Sequence, residues 1–537
     1  MPRIAGDRSR SAVYTQTWVV RLMLDLAGYT TDARIEVSTI VDAGCGDGAF
    51  LAEIVERLAR AARRANVPLD LLTDCVRAFD IDGRAIALAR ERVESVLLGH
   101  GATIETAHRL SSAWVIEDDF LLLDRPPRAK WVVGNPPYAR MEDIDTQTYS
   151  AYRARWPTMK GRADLYIGFY EAALDLLEAD GRLCFICADR WMHNAYGGAL
   201  RRKVLSETSV DLIAEVHQSD VFDSKVAAYP AITVFGKQRA NRTAMVTASP
   251  SFGEAASQDL VTWFRDPKAV PIKSEAFSAA RLESPLKPSE SWPSGPPERL
   301  AMIADLESRF PRLGETGVEF GVGIATGADA VYIVDSIVDV EPDRLRKVVG
   351  PSDLKDGRVS WQSRYFVDPW GTDGLVHLDE YPLMRSYFES HQSILKGRSI
   401  AQGREQWWRT IDKPRRGDYA REKLVVADIE TRIEPVRDTE GYWPLHSCYF
   451  ILSATWDLEV LGGYLISEIA SAFIEAYSVK MANGHFRVSA QYLKRIRAPE
   501  YESIPTVYRA RLRKAFRDRD REDSTSTVRD LLATLRP

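Results

Sequence analysis

A chain of 537 residues is too long for one compact core, and two or three domains are expected. With 45% apolar and 27% charged residues it has the balance of a globular protein, and no apolar run approaches the ~20 residues that cross a bilayer, so a disordered or membrane-spanning chain is excluded. The net charge of −5 excludes a surface coated in basic groups, although a local patch can still meet phosphate. The five cysteines are odd in number and scattered, which implies no disulfide framework. The opening Met1–Ser11 is polar and basic with no apolar stretch behind it, which predicts a cytoplasmic protein.

In chain order, Ile40-Val41 predicts the end of a short strand, followed by the glycine-rich turn Asp42-Ala-Gly44-Cys-Gly46-Asp-Gly48. Apolar residues at helical spacing (Phe50, Leu51, Ile54, Val55, Leu58) predict a helix over 50–64. Val76–Asp80 predicts a second strand, and a helix to Leu98 opens on the cap Asp82. Trp131–Gly134 is a further strand, and 164–177 a helix with Gly181 at its C-cap position. Strands follow at 183–188 and 212–216, with a helix near 199–205 between them and a last strand at 231–235. Strand–helix alternation on this scale predicts a parallel sheet covered by helices on both faces. Cys184 and Cys187 fall in the strand Leu183–Ala188; three apart on a strand, they face opposite sides and lack a second pair, so they read as core.

From Thr247 to Pro297 the chain is rich in Ser, Pro and Ala without sustained periodicity and reads as a connection. Beyond Pro311 short strand-like runs, such as 331–334 and 423–427, alternate with loops that carry Trp361, Trp370, Trp407, Trp408 and Trp443. The expected division is therefore a catalytic domain over 1–245, a connecting segment over 246–310, and a second domain over 311–537. From Lys480 onward fourteen Lys/Arg face seven Asp/Glu, which suits either a solvated helix or a phosphate-binding tail.

Two segments carry chemistry. A glycine-rich turn leaving the first strand of such a sheet lets a ligand approach the backbone, and Asp80, at the next strand end, stands where nucleotide-binding folds hold ribose hydroxyls. The other segment is Asn135-Pro136-Pro137-Tyr138, directly after an apolar strand. Two prolines remove two backbone donors and stiffen the turn, leaving carbonyl oxygens as acceptors. The Asn135 side-chain oxygen and the Pro136 carbonyl can receive both hydrogens of one planar NH2 group, and Tyr138 offers a flat face to a base. Arg404, Trp407, Trp408, Arg409, Arg415 and Arg416 form a basic, aromatic stretch, in which each tryptophan reads first as a core residue.

On these residues the chain resembles the gamma class of DNA adenine-N6 methyltransferases. Asp42–Gly48 resembles methyltransferase motif I, and Asn135–Tyr138 the catalytic motif of amino-methyltransferases. Tyr14-Thr15 to Met23 resembles the N-terminal motif that helps hold the cofactor, with Thr15 at the matching position. Asp80, and the segment Glu117-Asp-Asp119-Phe120, resemble the cofactor's ribose- and adenine-binding segments. Val221-Phe222-Asp-Ser-Lys225 resembles the loop whose aromatic residue stacks on a flipped base. Phe320–Gly327 and Lys480–Tyr492 resemble, more loosely, the entry and the end of a target-recognition domain. Relatives with Glu at the positions of Asp42 and Asp80 serve the same purpose, since either carboxylate accepts hydrogen bonds.

The resemblance implies an α/β, Rossmann-like methyltransferase domain followed by a mixed α+β target-recognition domain. It implies S-adenosylmethionine as cofactor, held by Thr15, Asp42, Gly44, Gly46, Asp80, Asp119 and Phe120, and no metal. Asn135, Pro136, Pro137, Tyr138 and Phe222 would act on an adenine flipped from duplex DNA. The implied setting is the modification arm of a restriction-modification or phage-defence system, with a separate cognate endonuclease as a further partner and no membrane. Three other readings compete: an amino-methyltransferase acting on glutamine, guanine-N2 or cytosine-N4; a fused restriction–modification enzyme; and a DNA-binding protein on an inactive methyltransferase fold.

Overall fold

The computed structural model describes residues 15–223, 229–238, 240–283, 286–335, 338–478 and 484–535. Tyr14 of the N-terminal motif, Ser224 and Lys225 of the Phe222 loop, and Lys480–Asn483 lie outside the described residues, as does the Met1–Ser11 start. The chain forms two compact units, residues 1–301 and 302–537.

The first unit is built on one ten-stranded sheet. Its strands are β1 (Ile40–Asp42), β2 (Val76–Asp80), β3 (Val115–Glu117), β4 (Ala129–Gly134), β5 (Leu177–Ala188), β6 (Ser209–Glu215), β7 (Pro230–Gly236), β8 (Arg242–Ala248), β9 (Ile272–Lys273) and β10 (Phe277–Glu283). Their order is β3-β2-β1-β4-β5-β7-β6-β8-β10-β9. β3 through β5 are parallel, as the strand–helix alternation requires. β7 runs antiparallel between β5 and β6, so the sheet is mixed where a parallel one was expected. Among the described residues no helix lies between β6 and β7, whereas a parallel return needs a long, usually helical crossover.

The helices follow the apolar spacing. α1 (Thr17–Ala27) buries Val19, Val20, Met23, Leu24 and Ala27 and ends on Gly28 at a φ of 77°. α2 (Ala49–Ala65) buries Phe50, Leu51, Ile54, Val55, Leu58, Ala61 and Ala62, an i, i+3, i+4 stripe in which each large side chain contributes roughly 1.5–3 kcal/mol of burial. α3 (Gly83–Gly99) is capped by Asp82, whose carboxylate accepts the Arg84 amide at 2.9 Å. α4 (Ile104–Trp114), α5 (Thr146–Arg155) and α6 (Tyr166–Leu176) complete the set near the site.

Two further expectations differ from the fold. The segment read as a connection holds a helix (Glu254–Arg265) and the strands β9 and β10, and with β8 these extend the sheet past β7. Its strands are short and alanine-rich (Phe277-Ser-Ala-Ala), so they carry almost no apolar periodicity, yet Phe277, Ala279 and Ala280 are buried. Gly181 does not cap a helix; α6 stops at Leu176 and Gly181 lies inside β5, beside a register shift in the pairing with β4. Cys184 and Cys187 are buried and free in β5.

The second unit is mixed α+β. One four-stranded antiparallel sheet joins Val318–Val322, Cys448–Ser453, Lys423–Ala427 and Val436–Asp438, and a second joins short strands around Leu345–Val349. The run 331–334 splits between a helical turn (Asp329–Tyr332) and a two-residue strand (Ile333–Val334). Tyr332, Phe366, Phe388, Trp443 and Phe450 form the core, with Trp407 and Trp408 packed at its edge. Trp370 is also buried, its indole N–H donating to Thr410 Oγ1 at 2.8 Å. Helices Leu458–Leu465, Thr506–Asp518 and Arg521–Thr534 pack together.

Candidate active site

The parallel half of the sheet delivers Asp42, Asp80, Asp119 and Asn135 to one edge, the carboxyl ends of β1, β2, β3 and β4, where open α/β sheets bind ligands. Backbone bonds stitch the turns together there: Ala43 N–H donates to the Val133 carbonyl at 3.2 Å and Cys45 N–H to the Phe79 carbonyl at 3.0 Å.

Asp42 is 0% exposed, and among the described residues neither carboxylate oxygen has a hydrogen-bond partner. Burial pushes its pKa up to about 8; the nearby Gly44 amide, short of hydrogen-bond geometry, opposes the rise and the Asp80 carboxylate adds to it. An ionisable group left dry and unpaired is expensive unless something else completes it. Asp80 is spent partly on the turn itself: its Oδ2 accepts Gly46 N–H at 3.0 Å and its Oδ1 accepts Asp82 N–H at 2.9 Å. Burial still raises its pKa against these two bonds. Asp119 accepts the Tyr152 hydroxyl at 2.6 Å and the Leu121 amide at 2.9 Å, and it too is raised by burial. Phe120 stacks on Phe169 at a centroid distance of 5.3 Å and 24° between planes, with Phe79 6.0 Å away. A Cβ on Gly44 would sit 3.8 Å from Phe169 and 3.9 Å from Pro137, so this aromatic wall, the glycine turn and the proline pair border one space.

Gly134 precedes Asn135 with a φ of 149°, and a Cβ there would lie 3.1 Å from Asp42 Oδ1. Only glycine lets β4 pass this close to Asp42 while turning into Asn135. Asn135 Nδ2 donates to Thr15 Oγ1 at 3.2 Å. Pro136 is buried and Pro137 half-buried. The Tyr138 hydroxyl has no hydrogen-bond partner among the described residues, and its ring meets Phe222 edge-on at 6.2 Å and 79°. The two aromatics expected to stack on a base are thus brought together, in T-shaped contact with each other rather than parallel. Phe222 reaches this place through an antiparallel bridge to Thr15, with Gln16 N–H donating to the Val221 carbonyl at 3.2 Å.

All twelve expected residues therefore gather at one edge. Phe169, Tyr152, Gln16 and Gly134 join them without having been anticipated. Phe169 lies one turn beyond Tyr166 in α6, and Gln16 lies beside Thr15, so proximity to a motif was the only signal in the sequence.

In the second unit five basic residues of the tail are held in ion pairs. Arg511 pairs with Asp523 at 2.9 Å, Arg513 with Asp457 at 2.9 Å, Lys514 with Asp518 at 2.7 Å, Arg517 with Glu459 at 2.5 Å and Arg521 with Glu434 at 2.9 Å. In the earlier basic stretch Arg416 is tied to Asp368 and Arg415 to Asp418 at 2.5 Å, while Arg404 and Lys413 are exposed.

Residues 119–222, from Asp119 to Phe222, match the Eco57I restriction-modification methylase family. The chain is 36% identical over 521 residues to the type II methyltransferase M.PaeR7I of Pseudomonas aeruginosa, a match covering 96% of this chain and 90% of that one. It belongs to the type II restriction-modification methyltransferases. M.XhoI of Xanthomonas vasicola is 34% identical, with 98% of this chain and 99% of that one covered. The likeness thus spans both units of this methyltransferase, and its Asn-Pro-Pro-Tyr turn and Asp119 sit within the family's own segment, with Asp42 and Asp80 ahead of it. Among solved structures, the type IIL restriction-modification enzyme MmeI in complex with DNA shares the fold, with a TM-score of 0.55 at 13% identity over 97% of this chain and 74% of that one.

Proposed function

We propose that this methyltransferase moves a methyl group from S-adenosylmethionine to the N6 amine of an adenine flipped out of duplex DNA, as the modification arm of a restriction-modification system. The observation that carries the reading is the placement of the Asn135-Pro136-Pro137-Tyr138 turn against Asp42, a buried carboxylate with both oxygens unpartnered among the described residues. Such a carboxylate suits the cationic ammonium of an amino-acid moiety. Asp80 keeps lone pairs for ribose hydroxyls beyond its two amide bonds, Asp119 stands at the adenine end, and the Phe120–Phe169 wall suits a planar base. The donor set therefore fits S-adenosylmethionine, with Thr15, Gly44 and Gly46 lining the same edge. When bound, that cofactor supplies an activated, electrophilic methyl group.

The chain's residues handle the acceptor. Asn135 Oδ1 and the Pro136 carbonyl receive the two N6 hydrogens and turn the nitrogen lone pair toward the methyl donor. Pro137 keeps that carbonyl in place. Tyr138 and Phe222 hold the base faces, which repays part of the few kcal/mol lost on unstacking. Alignment supplies the rate enhancement, and the amine sheds its proton only after it has become cationic, so no strong base is required. Asn rather than Ser at position 135 favours adenine over cytosine-N4.

Residues 311–537 act as the target-recognition domain in this reading, meeting DNA through the exposed Arg404 and Lys413 rather than through the paired C-terminal helices. The protein works in the cytoplasm beside a separate cognate endonuclease; no helix among the described residues is long and apolar enough to cross a membrane. Transfer of labelled methyl to unmethylated duplex DNA, followed by nucleoside analysis, tests the reading. N6-methyladenine supports it; N4-methylcytosine, or label only in RNA or protein, overturns it.

A further inference from the structure

The amide of Asn135 serves the proposed reaction in one orientation only, with its oxygen toward the acceptor amine. An amide is nearly symmetric in shape, so something must hold its nitrogen end. In the structure Nδ2 donates to Thr15 Oγ1 at 3.2 Å, and Thr15 is 6% exposed. Thr15 is itself held firmly. It bridges Phe222 across the antiparallel pair, and the next residue, Gln16, bonds the same strand through its N–H to the Val221 carbonyl at 3.2 Å and through Nε2 to the Phe222 carbonyl at 3.4 Å. Gln16 occupies the N-cap of α1, yet its side chain caps nothing there; its Oε1 instead accepts the Trp18 indole N–H at 2.5 Å. Its carbonyl receives Val19 N–H at 2.9 Å, so residues 15 and 16 are a stiff extension of α1.

We propose that Thr15 is a positioning residue for the Asn135 amide. Its hydroxyl accepts from Nδ2, which keeps Oδ1 turned toward the amine and, by drawing on the amide N–H, makes that oxygen a better acceptor. The backbone clasp on Phe222 ties the same threonine to the base-stacking loop, so amide and aromatic are set from one point. This rests on the function proposed above and adds to the cofactor-holding role that the N-terminal motif implies for Thr15.

The test uses the full-length protein and compares wild type with Thr15→Val, which keeps shape and β-branching, and Thr15→Ser, which keeps the hydroxyl. Methyl transfer by the wild type establishes the underlying reading. Against it, Thr15→Val lowers kcat about tenfold, the size of one hydrogen bond withdrawn from the transition state. The loss is read at saturating S-adenosylmethionine, so that any weakening of cofactor binding does not enter it; KM for DNA stays within twofold, and Thr15→Ser restores kcat. A Thr15→Val enzyme with unchanged kcat overturns the positioning role and leaves the reaction intact; so does one that only weakens cofactor binding. A wild type that transfers no methyl to DNA overturns both.

Discussion

Two buried carboxylates, one in each unit, show how differently the same group is used. In the second unit Asp438 is 1% exposed and fully served: Lys423 Nζ donates to its Oδ2, and the Glu440 and Gly441 amides donate to its Oδ1 at 2.9 and 3.1 Å. The lysine also donates to the Tyr419 carbonyl at 2.7 Å. In the first unit Asp42 is as deeply buried and has no hydrogen-bond partner among the described residues. A satisfied buried charge belongs to the scaffold, whereas an unsatisfied one marks where a ligand completes the structure.

The largest effect expected from breaking this contrast is on the satisfied pair. Lys423→Met leaves Asp438 buried and unpaired and should cost about 3–5 kcal/mol of stability in denaturant unfolding of the second unit. The surviving folded protein should bind S-adenosylmethionine normally, because Lys423 takes no part in the cofactor edge.

At the unsatisfied carboxylate the sign reverses. Below pH 3.8 Asp42 is protonated both folded and unfolded, and it exacts no penalty. Between that pH and about 8 the unfolded chain releases the proton that the folded chain keeps, so the apoprotein loses stability as pH rises, reaching the full loss above about 8. Asp42→Asn removes this dependence. Its thermal midpoint should exceed that of wild type by an amount that grows from pH 4 to pH 9, corresponding to several kcal/mol at the top. The same substitution should weaken S-adenosylmethionine binding about tenfold or more by isothermal titration, as a charge-assisted bond is lost. Equal midpoints for wild type and variant across that range would remove Asp42 from the cofactor role argued here.

A smaller effect is expected at the aromatic pair. Phe222→Ala should lower the stability of the flipped state by roughly 1–3 kcal/mol, read as a loss of 2-aminopurine fluorescence at the target base. The smallest concerns the basic residues. Arg517→Ala, which only breaks a pair with Glu459, should leave DNA affinity within twofold, whereas Arg404→Ala and Lys413→Ala should each weaken it and flatten its salt dependence by about one phosphate contact.

The parallel half of the fold and the site it supports were legible because their signals are local. α2 shows its apolar stripe, Asp82 its cap, and Asn135–Tyr138 a proline turn after an apolar strand. Much that lies beyond β7 was not legible: β9 has two residues and β10 is rich in alanine, so pairing with neighbours, rather than intrinsic pattern, makes them strands. In the site, the partners of the motif residues were equally hidden. The Asn135–Thr15 bond and the Tyr138–Phe222 contact join residues far apart in the chain, and no spacing rule reports such pairs. Charge counting left the tail open between a solvated helix and a phosphate-binding one, because the partners of Arg513 and Arg517, Asp457 and Glu459, lie far upstream in sequence.

The central claim is that Asn135 presents an adenine amine for methylation. Its most direct test is nucleoside analysis of duplex DNA incubated with labelled S-adenosylmethionine and either wild type or Asn135→Ala. The account predicts N6-methyladenine from the wild type and a loss of about 100-fold or more in the variant, with S-adenosylmethionine still bound. A variant that methylates adenine as fast as the wild type would contradict it.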